Sequence, residues 1–365
     1  LRSALASSEP GLSAATIAVT DRYGNYAYPD FAPLEIDQDD PSSYSVAADF
    51  LNVADVEVIS VQHEFGIFGG AAGEHVLELM RRVQAPVVST LHTVLAAPDA
   101  DQRRVMDEIV LRSARLVVMA NKGRQILEDV YGVDPERISV VPHGVPDRPF
   151  IDPAMAKHDL GLADRTLLMT FGLLGPGKGI ETAIRAMPEL ARRHPKILYM
   201  IVGTTHPTLR EREGERYRDS LATLVEHLGL ENHVCFVDRY LSLDNLLHHL
   251  AACDIYLSPY PNEAQIVSGT LAYAVSLGKA VVSTPFWYAQ ELLAEQCGVL
   301  VPFAASEELA HAVHDLISDD RRRSEIRTRA YARGRAMTWA TVGRRYFEIF
   351  SEVRLKRPAK RAEII

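Results

Sequence analysis

The sequence predicts an α/β protein of two domains, each a parallel sheet covered by helices on both faces. Three observations predict it. The chain has 365 residues, more than one ordinary core accommodates. Short apolar runs rich in β-branched residues alternate with amphipathic helical stretches, the pattern of parallel strands buried on both sides. That alternation is interrupted once, by a proline-bearing segment over 144–161, and then restarts.

In the first half, strands are expected at "ATIAVT" (15–20), "VEVISVQ" (56–62), "PVVSTLH" (86–92), "RLVVMAN" (115–121) and "RISVVPH" (137–143). Each is a short apolar run bounded by polar or turn residues. Helical patterns lie between them, including "GEHVLELMRRV" (73–83) and "RRVMDEIVLRSA" (103–114). The segment "GVPDRPFIDPAMAKHDLG" holds three prolines and little periodicity and is expected to be a linker. The second half restarts with the strand "RTLLMTFG" (165–172), a glycine-rich turn and the helix "IETAIRAMPELARRH". Further strands are expected at 197–203, 233–237, 254–259, 280–284 and 298–302. The closing helix "WATVGRRYFEIFSEV" (339–353) carries Val342, Tyr346, Ile349 and Phe350 on one stripe, which must pack on something.

Composition excludes several function classes. With 47% hydrophobic and 24% charged residues, the chain reads as globular. A net charge of -9 argues against general nucleic-acid binding, which needs a basic face. The tail "RLKRPAKRAEII" is basic, either a solvated terminus or a weak contact with anionic lipid. Three cysteines without a CxxC pair make neither a disulfide framework nor a zinc site, and Cys253 reads as a small core residue. A reducing, cytoplasmic setting is expected. No apolar run reaches the ~18 residues of a membrane span.

In parallel sheets, ligands sit beyond the carboxyl ends of the strands. Such loops carry the candidate residues. "FGLLGPGKGIETA" follows a strand and opens a helix; its glycines, Gly172 and Gly175 among them, let the backbone approach a ligand, and Lys178 adds a point charge at a helix N-terminus. Gly172 to Lys178 fits the GxxxxGK part of a P-loop, but Gly179 replaces the magnesium-binding Ser or Thr. The stretch is a phosphate or diphosphate site, or else a tight turn with a surface lysine. In "QIVSGTLAYA", Ser268 or Thr270 can cap a helix and Gly269 gives close access, either an ordinary N-cap or a second anion site. "VQHEFGIFGG" sets His63 and Glu64 at a strand end before an apolar loop that could close over a substrate. His92 ends the strand of "TLHTV". For these histidines a structural role stands beside the functional one. No His, Cys, Asp and Glu set has metal-ligand spacing, and GxSxG is absent.

The chain resembles the retaining glycosyltransferases of family 4, which have the GT-B fold. The resemblance rests on "VVPHGVP", "FGLLGPGKGIETAIRAMPEL", "ILYMIVGTTHP", "LATLVEHLGLENHVCFVDRYLSLDNLLHHLAACDIYLSPY", "LAYAVSLGKAVVSTP" and "GVLVPF", in matching order and spacing. It implies two Rossmann-like domains facing across a cleft: an acceptor-side domain over 1–148, a donor-binding domain over 149–337, and a closing helix over 338–365 that crosses back. It also implies that a first strand and glycine-rich loop ahead of Leu1 are missing. Lys178 is implied to bind the donor diphosphate, with Ser268, Gly269 and Thr270 near the phosphate and sugar. His92 is implied to contact the donor sugar near the reacting carbon, and Arg239 and Tyr240 to hold the nucleobase.

The sequence departs from the family at three positions. Leu173 stands where an arginine five residues before the lysine is usual. Gln265 and Tyr273 stand where two glutamates eight apart are usual, one serving the transferred sugar and one the ribose. A neutral amide still hydrogen-bonds a sugar, but a phenol cannot accept a bidentate ribose contact. The resemblance implies sugar transfer from a nucleotide sugar to an acceptor hydroxyl with retention and no metal cofactor. The alternatives are a glycosyl phosphorylase on the same fold, or a non-catalytic sugar- or nucleotide-binding protein.

Overall fold

The computed structural model describes residues 1–9, 11–21 and 26–356. Residues 357–365 of the basic tail lie outside the described residues. The chain divides into two compact units, one formed by Leu1–His143 with the segment that begins at Trp339, the other by Gly144–Thr338.

The first unit holds a two-stranded parallel pair, β1 (Ile17–Thr20) and β2 (Leu34–Asp37), and a four-stranded parallel sheet. The sheet runs in the order β3 (Ile59–His63), β4 (Val87–Leu91), β5 (Ser113–Val118), β6 (Ile138–Val140). β4 is buried at every residue, whereas the edge strand β3 alternates, with Ser60 and Gln62 exposed. The helix Ala100–Arg112 starts where a capping box sets it: Asp99 accepts from Gln102 N, and the Gln102 side chain accepts from Asp99 N.

The closing helix, Trp339–Leu355, belongs to this first unit. Val342, Tyr346, Ile349 and Val353 pack with Leu5, Val88, Val117 and Val141, while Phe350 is only partly buried. The Tyr346 and Thr90 hydroxyls hydrogen-bond at 2.9 Å inside this cluster. Gly343 allows the approach of the helix Arg2–Ser8, because a Cβ there would lie 2.9 Å from the Ala4 carbonyl carbon.

The second unit is a six-stranded, wholly parallel sheet: β7 (Thr166–Phe171), β8 (Ile197–Val202), β9 (Val234–Val237), β10 (Ile255–Ser258), β11 (Ala280–Ser283) and β12 (Val299–Leu300). Its spatial order is β12-β11-β10-β7-β8-β9. β8, β10 and β11 are buried throughout, as their largely apolar runs require. The winding reverses between β7 and β10, so a crevice opens beyond their carboxyl ends.

Two local differences from the sequence expectation have physical causes. The segment 144–161 is not wholly irregular: it carries a helix, Pro153–Asp159. The Asp152 side chain accepts from Ala154 N at 2.9 Å, and Pro153 occupies a position where a missing N–H costs nothing. β2 is a strand of "LEID" with only Ile36 buried, too polar to register as an apolar run.

Candidate functional site

The crevice of the second unit gathers residues from three loops. β7 ends at Phe171, and Gly172 follows with φ 127°. A Cβ on Gly172 would meet Thr270 Cγ2 at 3.2 Å and Lys178 Nζ at 3.6 Å. The absent side chain therefore lets Lys178 and Thr270 converge. A short 3-10 turn, Pro176–Lys178, leads to the helix Ile180–Arg193, whose N-cap is Gly179 at φ 62° with no side-chain acceptor. A Cβ on Gly179 would fall 2.0 Å from the Pro259 carbonyl oxygen, so only glycine fits there.

Lys178 Nζ donates to the Tyr260 hydroxyl at 2.7 Å. That hydroxyl also pairs with Thr270 Oγ1 at 2.8 Å and accepts from Ser268 Oγ at 3.3 Å. Ser268 is the N-cap of the helix Gly269–Ser276, its Oγ accepting from Leu271 N. Burial opposes ionisation of the Tyr260 phenol, but the Lys178 ammonium and the surrounding hydroxyls outweigh it and hold the group below the ordinary tyrosine value. The result is one ammonium and three hydroxyls at a helix N-terminus, which is chemistry suited to the oxygens of a phosphate.

The other residues singled out from sequence lie as follows. Gly175 is in extended backbone, and its carbonyl accepts from Lys178 N; a Cβ there would make only an ordinary contact with Leu209. The Gln265 amide donates to Val267 O at 3.0 Å, so it braces its own loop. The Tyr273 ring lies 6.2 Å from Phe171, and its phenol is pushed up by burial and by nearby Tyr240. Arg239 and Tyr240 follow β9 and are exposed, Tyr240 at 87%.

Within the first unit, His92 and Glu64 face a small polar group beyond β3 and β4. His92 Nε2 pairs with Gln62 Oε1 at 3.2 Å, and Glu64 accepts from Thr93 Oγ1 at 2.7 Å. Burial lowers the His92 pKa. His63 is different: it is fully buried, stacked on Phe68 and edge-on to Phe65. Neither ring nitrogen has a hydrogen-bond partner among the described residues. Burial, and secondarily His92, bring its pKa down to about 4, so the ring is neutral. His63 thus offers no accessible face to an acceptor. The apolar loop expected to close over a substrate is tied down, with Phe68 in the core and Gly69 N donating to the Tyr44 hydroxyl.

Sequence reasoning missed Tyr260. The available signal was its position in "LSPYPN", just after the carboxyl end of β10, where a phenol on an apolar body would sit at the crevice. Among the described residues no three His, Cys, Asp or Glu side chains gather to hold a metal ion, and no helix is long and apolar enough to cross a membrane.

Residues 156–333 match the family described as glycosyl transferases group 1, and residues 20–148 match Glycosyltransferase Family 4. The chain belongs to the family 4 glycosyltransferases. It is 27% identical to a D-inositol 3-phosphate glycosyltransferase of Kineococcus radiotolerans, over 77% of this chain and 69% of that protein. It is 29% identical to one of Stackebrandtia nassauensis, over 69% and 58%. The match thus spans between 58% and 69% of these two relatives' length. The fold is GT-B. HepE of Anabaena, solved in complex with UDP and glucose, superposes with a TM-score of 0.71 at 19% identity, covering 88% of this glycosyltransferase and 86% of that chain. Sucrose-phosphate synthase from Thermosynechococcus elongatus superposes with 0.75 at 16% identity, covering 92% and 87%.

Proposed function

We propose that this glycosyltransferase moves a sugar from a nucleoside-diphosphate donor to an acceptor hydroxyl, with retention and without a metal. The observation that carries the reading is the crevice between β7 and β10, where Lys178 and the hydroxyls of Tyr260, Ser268 and Thr270 meet beside the Ile180–Arg193 helix. As the bond from sugar to phosphate breaks, negative charge grows on the departing diphosphate. A fixed ammonium and a positive helix end stabilise that charge as it develops. The same charge compensation supports metal independence. No side-chain nucleophile is assigned, so attack from the leaving-group face accounts for retention.

Lys178, Gly172, Gly175, Ser268, Gly269 and Thr270 are assigned to the donor phosphates. Arg239, Tyr240 and Tyr273 are assigned to the nucleoside, His92 to the transferred sugar, and Glu64 and Gln265 to sugar or acceptor. UDP bound to HepE makes UDP the first nucleotide to try. The relatives' name makes a phosphorylated cyclitol the first acceptor to try.

Calorimetric titration with UDP, GDP, ADP and inorganic phosphate, on the wild type and Lys178→Ala, tests the reading. Micromolar binding of one nucleotide, lost in the variant, is expected. Transfer assays with and without EDTA, and NMR of the product anomer, test the other two parts. Tyr273, in place of the acid that would hold the ribose, favours a second reading, a phosphorylase; binding of phosphate with no nucleotide would establish it over the first.

A further inference from the structure

Lys178 has a long, flexible side chain, and an ammonium that wanders stabilises a leaving group poorly. Something must hold it. Leu173, where the resemblance implies a second cation, cannot contribute a charge. We propose that Tyr260 is the positioning residue of the phosphate cradle: its hydroxyl, fixed by Thr270 and Ser268, holds the Lys178 ammonium in the crevice and shares it with the donor's diphosphate. This inference rests on the proposed function and assigns a residue to the same site.

The geometry supports the role in three ways. The Tyr260 ring is nearly inaccessible, at 1% exposure, and stacks on Phe286 with centroids 4.9 Å apart, so the hydroxyl is delivered from a rigid body. Its backbone is held too, since Thr284 Oγ1 donates to the Tyr260 carbonyl at 2.5 Å. The hydroxyl accepts from Lys178 at 2.7 Å while the ammonium lies 4.5 Å from the ring centroid. An ammonium has three donors, so one bond to Tyr260 leaves two for phosphate oxygens.

The test is calorimetry on the full chain with UDP, GDP, ADP, the matching nucleosides, pyrophosphate and inorganic phosphate. The variants are Tyr260→Phe, which keeps the stack on Phe286, Lys178→Ala and the double variant. Tyr260→Phe is expected to weaken nucleoside-diphosphate binding by about tenfold or more, the loss of a hydrogen bond to a charged group. Nucleoside binding is expected to stay unchanged, and the double variant to bind no more weakly than Lys178→Ala. Diphosphate binding as tight as wild type in Tyr260→Phe overturns the assignment. So does a parallel loss for nucleoside and diphosphate, which would mean a structural role only. If the wild type binds phosphate but no nucleotide, the nucleotide-sugar reading fails; phosphate binding lost in Tyr260→Phe would then still uphold Tyr260 as the holder of Lys178, and phosphate binding kept would overturn it.

Discussion

Replacing His63 by leucine removes a buried imidazole that no described residue satisfies, and the consequence is a specific change in acid sensitivity. The folded state holds His63 neutral down to about pH 4, against an ordinary value of 6.5. In the unfolded chain the same ring takes up a proton as pH falls through 6.5. Between these values the unfolded state binds more protons than the folded state, so stability falls as pH falls. The contribution is fully present above 6.5 and is lost progressively toward 4. A shift from 6.5 to about 4 corresponds to ~3.4 kcal/mol at full extent, and roughly 2.4 kcal/mol of it is lost between pH 7 and 4.5. Urea unfolding followed from pH 7.5 to 4.5 measures it. His63→Leu should match the wild type at pH 7.5, or exceed it, because two unpaired buried nitrogens are gone. It should lose about 2 kcal/mol less on acidification. Equal acid slopes in the two proteins would refute the reasoning and place the sensitivity elsewhere.

Gly179→Ala should destabilise severely, by about 3 kcal/mol or more, because the methyl would sit 2.0 Å from a carbonyl oxygen at positive φ; a thermal melt checks it, and a melt like wild type would mean the loop relaxes freely. Tyr346→Phe should cost only about 1 kcal/mol, since Thr90 keeps a bond from Gln62 Nε2 at 3.2 Å. Ser268→Ala should cost about 1 kcal/mol as a lost N-cap, measured by urea unfolding. Lys279, fully buried and donating to the Ala251 and Cys253 carbonyls, has its pKa lowered by burial to about 8. The cost of its buried charge is present below that value, so from pH 8 to 10 the wild type should gain stability relative to Lys279→Met; identical pH profiles would contradict the assignment.

The strands that sequence periodicity located best are those buried on both faces. β8 is an unbroken apolar run and β7, β10 and β11 are apolar but for a Ser or Thr or two, and burial between helix layers is what permits such runs. β2 escaped because a half-exposed strand of "LEID" carries too little apolar signal. The helix Pro153–Asp159 escaped because Asp-Pro serves equally to start a helix and to mark a turn. At the site, Gly172, Lys178, Ser268 and Thr270 were legible as two helix starts after strands. Tyr260 was not, because its pairing with Lys178 joins positions 82 residues apart and depends on β7 and β10 being neighbours. His63 could be placed at a strand end, but whether its ring faced the core or a ligand depended on Phe68, five residues on, folding back over it.

The return of the closing helix to the first unit carries a consequence for biosynthesis. A ribosome releases the β4 and β5 strands long before it makes Trp339–Leu355, yet Val88 and Val117 are covered by side chains from that helix. Gly144–Thr338 emerges whole in between and can close its own sheet from contiguous chain. The half that is translated first is therefore completed last, and until then it exposes an apolar patch for chaperones to shield. Ending the chain just before residue 339 and releasing it should leave a protein whose β4 and β5 region is protease-sensitive while the β7–β12 region is resistant.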